Sequence, residues 1–284
     1  MTVRTLHSII PGMNTSDGAG VRLRRTLGQS QVARLDPFLM LDEFSSDDAA
    51  DYIAGFPSHP HRGFETVTYM LDGHMLHEDH LGNRGDLTPG AVQWMTAGRG
   101  IIHSEMPQQK EGRMRGFQLW LNLPARDKMK PASYRDIPAE QIPVVTRPDG
   151  AEVKVIAGRL DDVAGPINGG ESSMATDPLY WDVGLRPRAQ VSLPVPATHN
   201  AFIYVFEGSL RAGERDVPTH SAAILGDGDR LQAIAGSDGA RFLLLAGKPL
   251  REPVVQYGPF VMNTREEIEQ ALADYRDGTL ATPA

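Results

Sequence analysis

Thr66-Val67-Thr68-Tyr69-Met70-Leu71 runs straight into Asp72-Gly73. A short unbroken run of β-branched and aromatic residues, stopped by a turn dipeptide, is the pattern of a β-strand entering a tight turn. The pattern recurs further along the chain, at Val92-Gln93-Trp94-Met95, at Gly116-Phe117-Gln118-Leu119-Trp120-Leu121, and at Val153-Lys154-Val155-Ile156 before Ala157-Gly158. With 29 glycines and 21 prolines in 284 residues, many turns and short strands are expected rather than long helices. One stretch departs from this. Thr264 and Glu267 make a T-x-x-E capping pattern, Ile268, Leu272 and Tyr275 share one helical face, and Gly278 follows as a stop. The reading is all-β with a short C-terminal helix over Thr264 to Arg276. Pro124, Pro131, Pro138, Pro143 and Pro148 predict an extended linker, and the Asp-, Gly-, Asn- and Ser-rich residues 161–178 predict a long loop.

The length suits one large or two modest domains. Thr68-Tyr69-Met70-Leu71-Asp72-Gly73 can be laid over Ile203-Tyr204-Val205-Phe206-Glu207-Gly208, and Gly98-x-Gly100 over Gly226-x-Gly228, with nearly equal offsets. Two related β domains are therefore expected. A net charge of −8 argues against nucleic-acid or anionic-membrane partners. The absence of cysteine removes disulfides, thiolate metal sites and cysteine nucleophiles. Met1 to Gly12 carry no apolar signal core, and no apolar run approaches the roughly 20 residues of a membrane span, so a cytoplasmic protein without a membrane partner is expected.

Nine histidines are present, and the informative ones come in short pairs. Ser58-His59-Pro60-His61 and Ile102-His103-Ser104-Glu105 each place two potential ligands at i and i+2. On a strand those positions share a face, so each pair can aim two side chains at one point. Three imidazoles and a carboxylate suit a divalent first-row metal and leave coordination positions open for chemistry. His59, His61, His103 and Glu105 are the expected metal ligands. Glu65 could be a further ligand or a hydrogen-bond acceptor. His74, His77 and His80 follow the Asp72-Gly73 turn among acidic residues and read as a solvated loop. His7, His199 and His220 read as surface or capping residues.

The stretches Phe56 to Tyr69 and Val92 to Glu105 strongly resemble the pirin family of the cupin superfamily, as do Asp36 to Phe44, Leu244 to Leu250 and Gln256 to Thr264. The resemblance covers nearly the whole chain. It implies two jelly-roll cupin domains, here expected as an N-terminal metal-binding domain over 1–135 and a C-terminal domain over 136–284 without ligands. The repeat sets Pro194, Pro196, Leu231 and Ala233 opposite the four ligand positions. The resemblance also implies one divalent transition metal per chain, iron foremost, with manganese, nickel, copper or zinc as alternatives. His80 departs from the family pattern, where a small residue is common.

Two activities follow from that resemblance. The first is a quercetin dioxygenase-like oxidoreductase that opens a flavonol with O2 and releases carbon monoxide, with Glu105 as the catalytic proton acceptor. Phe56, Phe64, Met95 and Trp120 would then form a flat apolar pocket, and Arg99 would orient substrate or cap a turn. The alternative is a metal- or redox-sensitive protein without enzymatic activity that regulates a transcription factor or metabolic enzyme by binding it. No direct nucleic-acid contact is expected in either case.

Overall fold

The structure is a computed structural model describing residues 2–30, 33–167 and 174–281. Its regular structure is mostly antiparallel strands, and its contacts divide the chain into two units, each drawn from several stretches. One unit comprises Met1–Met13, Leu35–Pro37 and Glu140–Pro249; the other comprises Asn14–Arg34, Phe38–Ala139 and Leu250–Ala284.

The second unit holds a seven-stranded sheet and a four-stranded sheet. Phe64–Asp72, the strand read first from the sequence, lies between Val92–Thr96 and Met114–Asn122 in the larger sheet, with Thr68 level with Gln93 and with Gln118. The smaller sheet runs in the order Phe56–His61, Ile101–Pro107, Met75–Asp79, Arg84–Leu87. Met75 and Leu87 from the small sheet pack with Phe44, Met70 and Met114 from the large one, so the apolar faces of the two sheets close one core. This is the two-layer jelly-roll arrangement of a cupin.

In the first unit the strands Asn200–Ala212 and Arg230–Gly247 pair over most of their length. Their register shifts between Val205 and Glu207 and again between Gly208 and Leu210, which bends the pair. Gly208 (φ +65°) is required at that bend, because a Cβ there would collide with the Gly239 carbonyl oxygen. Ile203 lies level with Ala223 and Leu244, so where the other unit has Gln93, Thr68 and Gln118 side by side this one has an apolar row. Leu193, Leu231 and Ala233 are likewise core residues.

The proline-rich stretch is not an unpaired linker. Ser133–Ile137 adds to Val92–Thr96, and Val144–Thr146 adds to Glu152–Ala157. Pro131, Pro138, Pro143 and Pro148 fall just outside these ladders, where a missing N–H costs no sheet bond. The expected loop over 161–178 contains half of a small ribbon, Arg159–Leu160 with Val163–Ala164, and its residues 168–173 lie outside the described residues.

The helix spans Arg265–Arg276 and is capped as the sequence implies: Thr264 Oγ1 accepts from the Glu267 N–H at 3.2 Å, and Glu267 Oε2 accepts from the Thr264 N–H at 3.0 Å. Its buried face differs from expectation. Ile268 and Ala271 pack on Phe260, Met262 and Leu280, while Leu272 and Tyr275 stay exposed. His199 is not at the surface either; it is buried and its Nε2–H donates to the Asp177 carbonyl at 2.8 Å. Among the described residues no helix is long and apolar enough to cross a membrane.

Candidate metal centre

Strand register brings the histidines together. In the small sheet His103 lies opposite His59, Ile101 opposite His61, and Glu105 opposite His77. Residues directly opposite in an antiparallel pair share a face, as do residues two apart, so these side chains project to one side. His59, His61 and His103 each offer a ligand nitrogen, and these nitrogens lie within 4.8 Å of one another. His61 and His103 are buried and His59 is half-buried.

Each ring is oriented by its surroundings. His59 Nδ1–H donates to the Pro57 carbonyl at 2.8 Å, leaving Nε2 free, and that atom lies 2.9 Å from His61 Nε2. The His61 ring is met edge-on by Phe64 and Trp120, with centroids 5.1 Å and 5.4 Å away. Burial, reinforced by the neighbouring histidines, holds His61 and His103 well below the usual imidazole range, so both are neutral at neutral pH. His103 Nε2 is buried with no hydrogen-bond partner.

These observations fit a metal. Neutral imidazoles with free lone pairs are the ligating form. A metal–nitrogen bond of about 2.1 Å places two nitrogens at right angles about 3.0 Å apart, close to the His59–His61 separation. A metal there would also give the unpartnered His103 nitrogen a partner.

Glu105 sits apart from the three nitrogens but faces the same space. It is buried, and its Oε1 accepts from Thr68 Oγ1 at 2.9 Å; the Gln118 amide lies 2.7 Å from the same hydroxyl. His59, His61, Glu105, Gln118, Phe56 and Trp120 line one cavity of about 630 Å³. Arg25 and Asp42 join in two hydrogen bonds, at 2.8 and 2.6 Å, on its polar side.

Several expectations change here. Glu65 is not in the histidine group; it accepts from Thr96 Oγ1 at 2.6 Å and Trp94 Nε1 at 3.3 Å, and burial raises its carboxyl pKa. Of the four apolar candidates, Phe56 and Trp120 line the cavity, whereas Phe64 and Met95 are fully buried core residues. The Arg99 backbone closes a turn, its N–H donating to Lys130 at 2.9 Å and its carbonyl accepting from Arg62 Nε. His80 is exposed and bonded to the backbone of Ile102 and Ala281, away from the cavity lining.

His77 is not in a solvated loop. It is wholly buried on Met75–Asp79, its Nδ1 lies 3.2 Å from His103 Nδ1, and its ring stands 5.5 Å from that of Tyr134. A signal was present in the sequence: Met75 and His77 are two apart, so a strand that buries the methionine buries the histidine too.

Along nearly its whole length the chain is similar to known proteins. A family model described as Pirin matches residues 20–121, and one described as the Pirin C-terminal cupin domain matches residues 180–281. A Pseudomonas aeruginosa protein provisionally named quercetin 2,3-dioxygenase is 58% identical over 273 residues, covering 95% of each chain. Human pirin is 45% identical over 269 residues, covering 92% of this chain and 89% of its own. The crystal structure of a quercetin 2,3-dioxygenase from Acinetobacter baumannii superposes with a TM-score of 0.89 at 32% identity, covering 99% of each chain.

Proposed function

Because the chain belongs to the pirin family, we propose that its histidine centre is the site of a metal-dependent dioxygenase that opens flavonols such as quercetin with O2 and releases carbon monoxide. One observation carries the reading: three imidazoles gather at one point, and two of them, His59 and His61, line with the buried carboxylate of Glu105 a single cavity of about 630 Å³ with aromatic walls. That volume lies within the range of pockets that enclose a drug-sized ligand. The resemblance of the whole chain to a quercetin 2,3-dioxygenase structure supports it.

His59, His61 and His103 would hold the metal, with Glu105 as the fourth ligand or as its neighbour, and iron is the first metal to try. When bound, the metal supplies Lewis acidity toward a deprotonated hydroxy-ketone and an electron path to O2. The protein's own residues do the rest. Trp120 and Phe56 offer flat apolar surfaces to the flavonol rings and keep water from them. Glu105 receives the 3-hydroxyl proton. Thr68 holds Oε1, so Oε2 is the oxygen that takes it. Gln118, beside Thr68, presents a polar edge to the substrate's oxygens.

The test is quercetin loss measured together with O2 uptake and carbon monoxide release, on protein loaded with one defined metal at a time. Turnover that follows metal occupancy supports the reading. Stoichiometric metal without turnover on any flavonol would move it to a metal-responsive binding protein.

A further inference from the structure

We infer that His77 is a positioning residue that fixes the tautomer of His103, accepting the His103 Nδ1–H and leaving His103 Nε2 bare for a metal. The inference rests on the metal-centre reading above and assigns a role to a residue outside the ligand set.

The two Nδ1 atoms are 3.2 Å apart and both rings are buried. Nitrogens at that distance share one proton, so one ring donates and the other accepts. A neutral imidazole carries a single N–H. Were His77 the donor, the proton of His103 would sit on Nε2, the nitrogen left for the group with His59 and His61, and would block ligation there. With His103 as donor, its Nε2 carries the lone pair, and the remaining proton lies on His77 Nε2. Both Nε2 atoms are buried without hydrogen-bond partners, so no other contact of these atoms selects the tautomer.

The fold sets this contact. His77 stands opposite Glu105, placing its ring diagonally beside His103 on the neighbouring strand. The Tyr134 ring also packs on His77, with centroids 5.5 Å apart. Metal-ligating histidines commonly give their second N–H to a carboxylate or a carbonyl. Here an uncharged imidazole takes that place, so the orienting contact adds no negative charge to the centre.

Ring ¹⁵N NMR of His103 in metal-free protein near neutral pH reads the tautomer directly. The Nδ1–H form should dominate in wild type. It should persist in His77→Asn, whose Oδ1 replaces Nδ1 as acceptor, and give way to the Nε2–H form in His77→Leu. Chelator competition with iron(II) or nickel(II) should show roughly 10–100-fold weaker binding for His77→Leu, with His77→Asn close to wild type. An Nε2–H tautomer in wild type overturns the inference. So does a His77→Leu protein with unchanged tautomer and affinity. If His77→Leu fails to fold, the tautomers of wild type and His77→Asn still decide. Wild-type protein that takes up no metal overturns the metal-centre reading, and the orienting role with it, whichever tautomer is seen.

Discussion

His59 Nε2 and His61 Nε2 lie 2.9 Å apart, although their residues are separated by a proline on the same strand. Two unprotonated nitrogens at that distance repel unless a proton or a cation lies between them. A metal removes the repulsion and uses both lone pairs.

Replacing His61 by Ala should therefore remove most bound metal while the protein stays folded. The cores of both units are made of apolar residues that do not depend on the metal. Loss of the ring from its place against Phe64 and Trp120 should lower stability by about 1–3 kcal/mol in metal-free protein. Elemental analysis should give one metal per wild-type chain and far less in the variant, with unchanged circular dichroism. An unfolded variant would show instead that the metal organises the fold.

Glu105→Gln separates ligation from proton transfer. The amide oxygen can still ligate weakly but cannot accept a proton at neutral pH. Flavonol turnover per bound metal should fall by about 10²–10⁴-fold. Equal rates per metal would make Glu105 a ligand only. Thr68→Val, which removes the hydroxyl donor to Oε1, should lower turnover by a smaller factor and leave metal content near wild type.

Gly63 tests how closely the site is tied to the C-terminal segment. Its φ is +90°, and a Cβ would collide with the Val261 carbonyl oxygen. Gly63→Ala should cost about 2–4 kcal/mol and weaken metal binding, because the strain lands two residues from His61. Gly82, at φ +81° with nothing near its absent Cβ, is the control; Gly82→Ala should cost about 1 kcal/mol and leave metal binding unchanged.

Lys128 gives a stability signature in alkali. It is fully buried, its Nζ donates to Gly63 O, Asn122 Oδ1 and Val261 O at 2.7, 2.7 and 2.9 Å, and burial lowers its pKa to about 8. The unfolded chain keeps its proton up to the ordinary value of 10.5. Between those values the unfolded state binds more protons, so the contribution of Lys128 to stability rises with pH through that window, by at most about 3 kcal/mol. Denaturant unfolding of wild type and Lys128→Met, each at neutral pH and near pH 10, isolates the effect. The difference between them should shift in favour of wild type at the higher pH. A pH-independent difference would mean that Lys128 titrates normally.

The histidine cluster was legible because strands have a period of two, so His59 with His61 and His103 with Glu105 could be assigned to shared faces before any contact was known. The capping box was legible because it is local to Thr264 and Glu267. What escaped depended on neighbours distant in sequence. His77 looked solvated among Glu78, Asp79 and His80, yet its strand partner buries it. The helix turned Ala271 rather than Leu272 inward because Phe260, Met262 and Leu280 define the surface it meets. The prolines after residue 123 announced breaks correctly, but not that strands would form between them.

The unit that carries the histidines is completed by Leu250–Ala284. Arg62 and Gly63, next to His61, meet residues made far later in the chain: Arg62 Nη1 donates to Asp274 at 2.6 Å, the Val261 N–H donates to the Arg62 carbonyl at 3.0 Å, and Lys128 bonds the carbonyls of Gly63 and Val261. During biosynthesis the ribosome delivers both ligand pairs before any of those contacts can exist. The nascent chain therefore keeps an open flank beside His61 until translation has passed Asp274, by which point nearly all of the polypeptide has been made. Translation order thus sets when the flank beside the histidines can first close.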